Sequence, residues 1–210
     1  MHPLISRLVV VMYLILSTYC SPFNHTNWGD YFNFHINSNT KISYLDTVKE
    51  MFHFAYSNYM NHSFPFDELD PIHCVGRGYD YANPANINVN DALGDFHLTL
   101  IDSLDSLAIM GLTDDFKHAV NLAISHLSFD RNVRVQVFEA TIRVLGGLLS
   151  AHLMITDPAK PFGDIYPIGY SGELLALAHD LANRMLNVFD WPQGQHYFRD
   201  MPCRRWFSTS

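Results

Sequence analysis

Two residues of opposite charge, Glu139 and Arg143, sit inside the apolar run Gln136 to Gly147, QVFEATIRVLGG. A carboxyl there could give or take a proton, and a guanidinium could clasp hydroxyls or an anion. Phe138, Ile142, Leu145 and Leu149 recur at steps of three or four, the period of a helix with a buried stripe. On such a helix Glu139 and Arg143 are i,i+4, acid first, and are expected to pair. A carboxylate beside a buried stripe has to be paired or put to use, because burying an unpaired charge is costly. Two readings follow: a structural ion pair at the edge of a core, or a working acid held beside a cation.

Other candidates are weaker. Asp102 and Asp105, in LTLIDSLDSLAIMGL, are i,i+3 on one helical face and read as structural acids that bond neighbouring helix ends. Arg77 in a long loop reads as a solvated residue. The 12 histidines are scattered, with no HExxH and no clustered Cys/His spacing, which argues against zinc. The run Asn86-Ile-Asn88-Val-Asn90 lacks the glycine and the final acid of an EF-hand loop. No metal ligand is assigned.

The elements that would carry these residues are helices. Leu45, Val48, Phe52, Tyr56 and Tyr59 mark a first one over about 42–61. Prolines, glycines and Asn/Asp make 64–90 a long loop. Helical spacing resumes with Leu100, Ile101, Leu104, Leu107 and Ala108 and stops at Gly111. Thr113 is expected to cap the next helix, with Asp114 and Asp115 in its first turn and Phe116, Val120, Ala123 and Leu127 as its stripe. The Glu139 helix spans about 135–154. After the linker 157–170, Ser171 is expected to cap a last helix along Leu174, Leu177, Leu181 and Leu186. No alternating run is long enough for a strand. The class is all-α, built from paired helices.

Composition sets the setting. A chain of 210 residues, 48% hydrophobic and 16% charged, can bury a sizeable core. Its net charge of −8 argues against nucleic acid as a partner. Residues 1–20 read as a signal peptide: Arg7, the apolar run Leu8 to Leu16, and small residues at Thr18 and Cys20 that suit cleavage before Ser21. Sequons at Asn24 and Asn61 fit a secretory-pathway glycoprotein.

Four segments carry a family resemblance: Met51 to Gly78 (MFHFAYSNYMNHSFPFDELDPIHCVGRG), Leu98 to Leu112, Phe138 to His152 (FEATIRVLGGLLSAH) and Gly172 to Leu186. In this order they resemble the class I α-1,2-mannosidase family (glycoside hydrolase family 47), and within it the ER degradation-enhancing α-mannosidase-like group. The resemblance implies an (α/α)7 barrel, of which this chain supplies only the opening helices. It divides the chain into the signal peptide 1–20, a flexible lead-in 21–40, the N-terminal part of the mannosidase-like domain 41–189, and a divergent tail 190–210.

It also implies an inverting α-1,2-mannosidase of the endoplasmic reticulum lumen. Such a protein acts on high-mannose N-glycans of misfolded glycoproteins and serves the ER degradation machinery. Glu139 matches the family's acid, and Arg143 an arginine that contacts the sugar or orients the acid. With Arg143 at i+4, Glu139 is expected to be over-stabilised as an anion. Calcium is implied as cofactor, through a threonine that has no counterpart in this chain. Cys74 matches a family cysteine whose partner lies further along the domain, so a free or mispaired thiol is expected. Inversion needs a base facing the acid across roughly 6.5–9.5 Å, and the family's base lies beyond the position of Phe189. The 210-residue chain alone is therefore expected to be inactive. A lectin-like binder of glycoproteins, or a non-functional fragment, are the alternatives.

Overall fold

A computed structural model describes residues 37–189 and, for the backbone, 200–202. The signal peptide, Asn24, Cys203 and most of 190–210 lie outside the described residues. The chain divides into a unit of residues 1–48 and a unit of 49–210. The described part of the first is helical from Ser38, and Leu45 and Val48, expected on a buried stripe, are exposed there.

That helix, α1 (Ser38–His62), runs on into the second unit, where Tyr56 and Tyr59 are buried. Four further helices build the core: α3 (Leu98–Ile109), α4 (Thr113–His126), α5 (Val137–Thr156) and α6 (Glu173–Phe189). A single turn, α2 (Ile87–Asn90), precedes them. α3 packs against α4 and α5, and α6 against α4 and α5, so two helical pairs lie side by side. The molecule is all-α in its core, as the spacing predicts.

The stripes on α3 and α4 are those expected: Leu100, Ile101, Leu104 and Leu107, then Phe116, Val120 and Ala123, are all fully buried. On α5 the expectation fails. Phe138 and Ile142 are exposed, and the packed face carries Val137, Ala140, Val144, Leu148, Ala151 and Ile155. The reason is close approach. A Cβ on Gly147 would lie 3.1 Å from the carbonyl oxygen of Ile101, so α5 approaches α3 closely at this glycine and packs the face that carries it. By length and composition α5 is apolar enough to cross a membrane. It packs against α3 and α6. On α6, Met185 takes the buried place expected of Leu186.

Caps differ from expectation too. Leu112, not Thr113, occupies the capping position of α4, and no side chain caps it. At α6 the Ser171 hydroxyl and backbone N–H both donate to Glu173, at 2.6 and 2.7 Å, so the carboxylate accepts where a serine oxygen was expected to. Gly172, at φ +106°, sets the entry to the helix. Gly111, at φ +75°, ends α3 as expected.

The 64–90 loop holds more order than its composition suggests. β1 (Glu68–Asp70) and β2 (Val75–Arg77) form an antiparallel hairpin, Glu68 opposite Arg77. Arg77 donates to Glu68 at 2.5 Å, so it is an ion-paired strand residue and not a free loop cation. Cys74, exposed and unbridged, lies in the turn. A second three-residue ladder pairs β3 (Arg134–Gln136) with β4 (Asp200–Pro202). Such strands are too short to show alternation in sequence.

The hairpin loop also positions α3. Asp67 is fully buried, and its carboxylate accepts the backbone N–H groups of Asp95 and Phe96 at 2.7 Å and Leu98 at 3.1 Å. The Asp67 carbonyl accepts Thr99 N–H at 2.9 Å. One residue thus satisfies donors that a helix start leaves open. Beside it His97, in the left-handed region, directs Nδ1 at the Pro65 carbonyl.

Candidate active site

Glu139 and Arg143 lie on α5, at a place where that helix widens. Residues Ala140–Leu145 form a π turn, and Gly146 N–H reaches back five residues to Thr141 O. Such single widened turns are frequent at functional sites. They also break the i,i+4 register that an ion pair along a helix requires.

The outcome is that Glu139 and Arg143 do not pair, a correction to the sequence expectation. Arg143 reaches across to α3, where Nε and Nη2 both donate to Asp102 Oδ2, at 2.7 and 2.5 Å. The two side chains each keep 31% of their exposure, so the pair is neither buried nor freely solvated. Glu139 is half-buried and, among the described residues, takes part in no ion pair. The contact with a cation at i+4, on which the expectation of an over-stabilised anion rests, is therefore not made. A single-oxygen clasp by Asp102 neutralises Arg143 and fixes one edge of the guanidinium.

Asp105 stands one turn further along α3, with its carboxyl facing Ser150 of α5. Burial raises its affinity for a proton, Asp102 adds to the effect, and the Ser150 hydroxyl opposes it. Its Oδ1 is buried without a hydrogen-bond partner. The partner of Asp102 is thus Arg143 and not a helix end as expected, and Asp105 faces Ser150. The sequence placed both acids on one face. It could not show that this face meets the widened turn of α5, because the meeting depends on the close crossing at Gly147.

Asn61, the second sequon asparagine, is exposed in the last turn of α1. Ser63 of the same sequon is buried, its hydroxyl donating to Glu68 O at 2.5 Å. For the implied calcium, the described residues offer no group of three or more His, Cys, Asp or Glu side chains that could hold a metal ion. Asp102 and Asp105 face a guanidinium and a hydroxyl. These residues do not fit a resident cation.

The helical arrangement is shared with a solved enzyme. The structure of an α-1,2-mannosidase from Trichoderma reesei superposes with a TM-score of 0.56 and 25% identity, over 70% of this chain and 28% of that one. That enzyme is an (α/α)7 barrel, of which this chain covers a part. The paired helices of this chain thus correspond to part of an all-helical barrel. The chain belongs to glycosyl hydrolase family 47, whose model matches residues 51–202. The matched span runs past Phe189 through part of 190–210.

Its relatives include the ER degradation-enhancing alpha-mannosidase-like protein 1 of Schizosaccharomyces pombe, 47% identical over 78% of this chain and 20% of the relative. The ER degradation-enhancing alpha-mannosidase-like protein 3 of Homo sapiens is 44% identical over 72% of this chain and 16% of that protein. The chain spans about a fifth of the length of these curated relatives.

Proposed function

We propose that the product of this gene hydrolyses terminal α-1,2-linked mannose on high-mannose N-glycans of misfolded glycoproteins, with Glu139 as the proton donor to the leaving oxygen. One observation supports this reading above the others. The cation at i+4, Arg143, is held by Asp102, and the Glu139 carboxyl is half-buried and, among the described residues, in no ion pair. A general acid has to carry its proton near the working pH, and an adjacent guanidinium paired to it would oppose that. Arg143, with one edge held and the other free to donate, suits the hydroxyls of a sugar. In an inverting reaction a base on the opposite side of the ring activates water. None of the described residues is assigned that role, and the reaction is attributed to the full gene product. Calcium would come by family resemblance, through a threonine with no counterpart in this chain.

The relatives' names support a setting in the endoplasmic reticulum, and the signal peptide read at 1–20 would lead the chain into its lumen. There the trimmed glycan would commit a client to the degradation machinery. The lumenal address also suits glycosylation at Asn24 and Asn61.

The test is product analysis. The full-length gene product, incubated with a Man8 or Man9 N-glycan, is expected to yield glycans shortened by single mannose units in mass spectra. Tight binding with the glycan mass unchanged would replace hydrolysis by lectin-like recognition. Neither binding nor shortening would contradict both.

A further inference from the structure

We propose that Asp102 is a positioning residue: it fixes the guanidinium of Arg143 so that its remaining donors face the glycan, and it keeps Arg143 away from Glu139. The inference rests on the mannose-binding reading above and names a residue that reading does not require.

The argument starts from reach. Arg143 stands on the widened turn of α5, one turn beyond Glu139. Arginine has a long, rotamer-rich side chain, and a half-exposed one is not held in place by packing. Two partners of opposite charge are available to it by sequence: Glu139 on its own helix and Asp102 on α3. The structure shows the second, with Nε and Nη2 both on Asp102 Oδ2. Two donors on one acceptor fix the plane of the guanidinium as well as its position, while Nη1 keeps its protons for another partner.

Asp102 is itself firmly placed. It lies between the fully buried Ile101 and the buried Ser103 of α3, whose N-terminus is tied to Asp67. The close crossing at Gly147 then holds α3 and α5 at the spacing the clasp needs. The arrangement separates two tasks that a direct Glu139–Arg143 pair would merge. Arg143 is available for hydroxyl recognition, and Glu139 for proton transfer.

The experiment measures glycan affinity in full-length protein carrying Glu139→Gln, so that the glycan stays intact during titration. The probe is a Man8 N-glycan, followed by calorimetry, with a melting curve for every variant. Asp102→Asn is expected to weaken binding about tenfold, a loss of about 1.4 kcal/mol. Arg143→Lys, which keeps the charge but loses the two-donor fork, is expected to do the same without touching Asp102. Adding Asp102→Asn to Arg143→Met should weaken binding no further than Arg143→Met alone, because the aspartate acts only through the arginine. Asp102→Glu should recover part of the affinity.

A merely structural Asp102 would lower the melting temperature while the folded fraction bound glycan with unchanged affinity, and that result overturns the proposal. Additive losses in the double variant overturn it as well. Failure of the Glu139→Gln parent to bind the glycan at all would instead remove the mannose-binding reading, and this inference with it.

Discussion

Glu139→Gln in the full-length protein is expected to cut mannose release by roughly 10²–10⁴-fold, the range that acid catalysis contributes. The melting temperature should barely change. Glutamine has the same shape as glutamate, and among the described residues Glu139 makes no ion pair that its loss would break. This pairing of outcomes is informative because the competing reading inverts it. A structural acid would cost stability on substitution and leave turnover per folded molecule alone. Arg143→Met serves as the contrast. It leaves Asp102 without its cation and is expected to lower stability somewhat, since the pair is only partly exposed, as well as to weaken the glycan complex. Full activity of Glu139→Gln per folded molecule would remove Glu139 from the chemistry.

The second large effect is on stability and falls on Asp67. Replacing it with alanine strips the partner from three backbone N–H groups at the start of α3, in a site with no exposure. Each buried donor left open costs roughly 1–3 kcal/mol, so a loss on the order of 3 kcal/mol or more is expected. Thermal or urea unfolding would read it.

The same residue gives a pH signature. Burial is the largest influence on its carboxyl and pushes it from 3.8 up to about 6, against the pull of the Leu98, Asp95 and Phe96 N–H groups. Between those two values the folded protein holds a proton that the unfolded chain has released. Stability contributed by this group is therefore complete below about 4 and is lost as pH rises to about 6. Asp70, Asp80 and Glu173 act in the opposite sense, since their hydrogen bonds hold them below their ordinary values. The comparison of wild type with Asp67→Asn isolates the buried group. The variant should be less stable throughout, by a margin that narrows as pH rises from 4 to 6. A constant margin would refute the assignment.

The core helices α3 and α4 were legible in sequence. On α3 and α4 the periodic apolar residues are the buried ones, because regular helices translate spacing into burial. On α5 the same spacing misled. Phe138 and Ile142 have the right period, but the close crossing at Gly147 brings a different face against α3, and crossing distance is a property of two helices. Glu139 and Arg143 were legible as candidates from their types and surroundings, while their partnership was not. An i,i+4 pair assumes a regular helix, and the widened turn Ala140–Leu145 has no marker in residue type alone. Asp67 could not be found at all. Its role depends on contacts with Asp95, Phe96 and Leu98, roughly thirty residues away, across a loop whose composition conceals a hairpin.

The central claim is that Glu139 protonates the leaving oxygen of an α-1,2-mannoside in an inverting reaction, and the anomer of the mannose first released tests it most directly. Proton NMR of the full-length protein acting on a Man9 glycan would follow the anomeric signal before mutarotation blurs it. The account predicts that β-mannose appears first, and that the Glu139→Gln protein, equally folded, releases none on the same timescale. Initial release of α-mannose, or β-mannose from the Glu139→Gln protein at the wild-type rate, would contradict it.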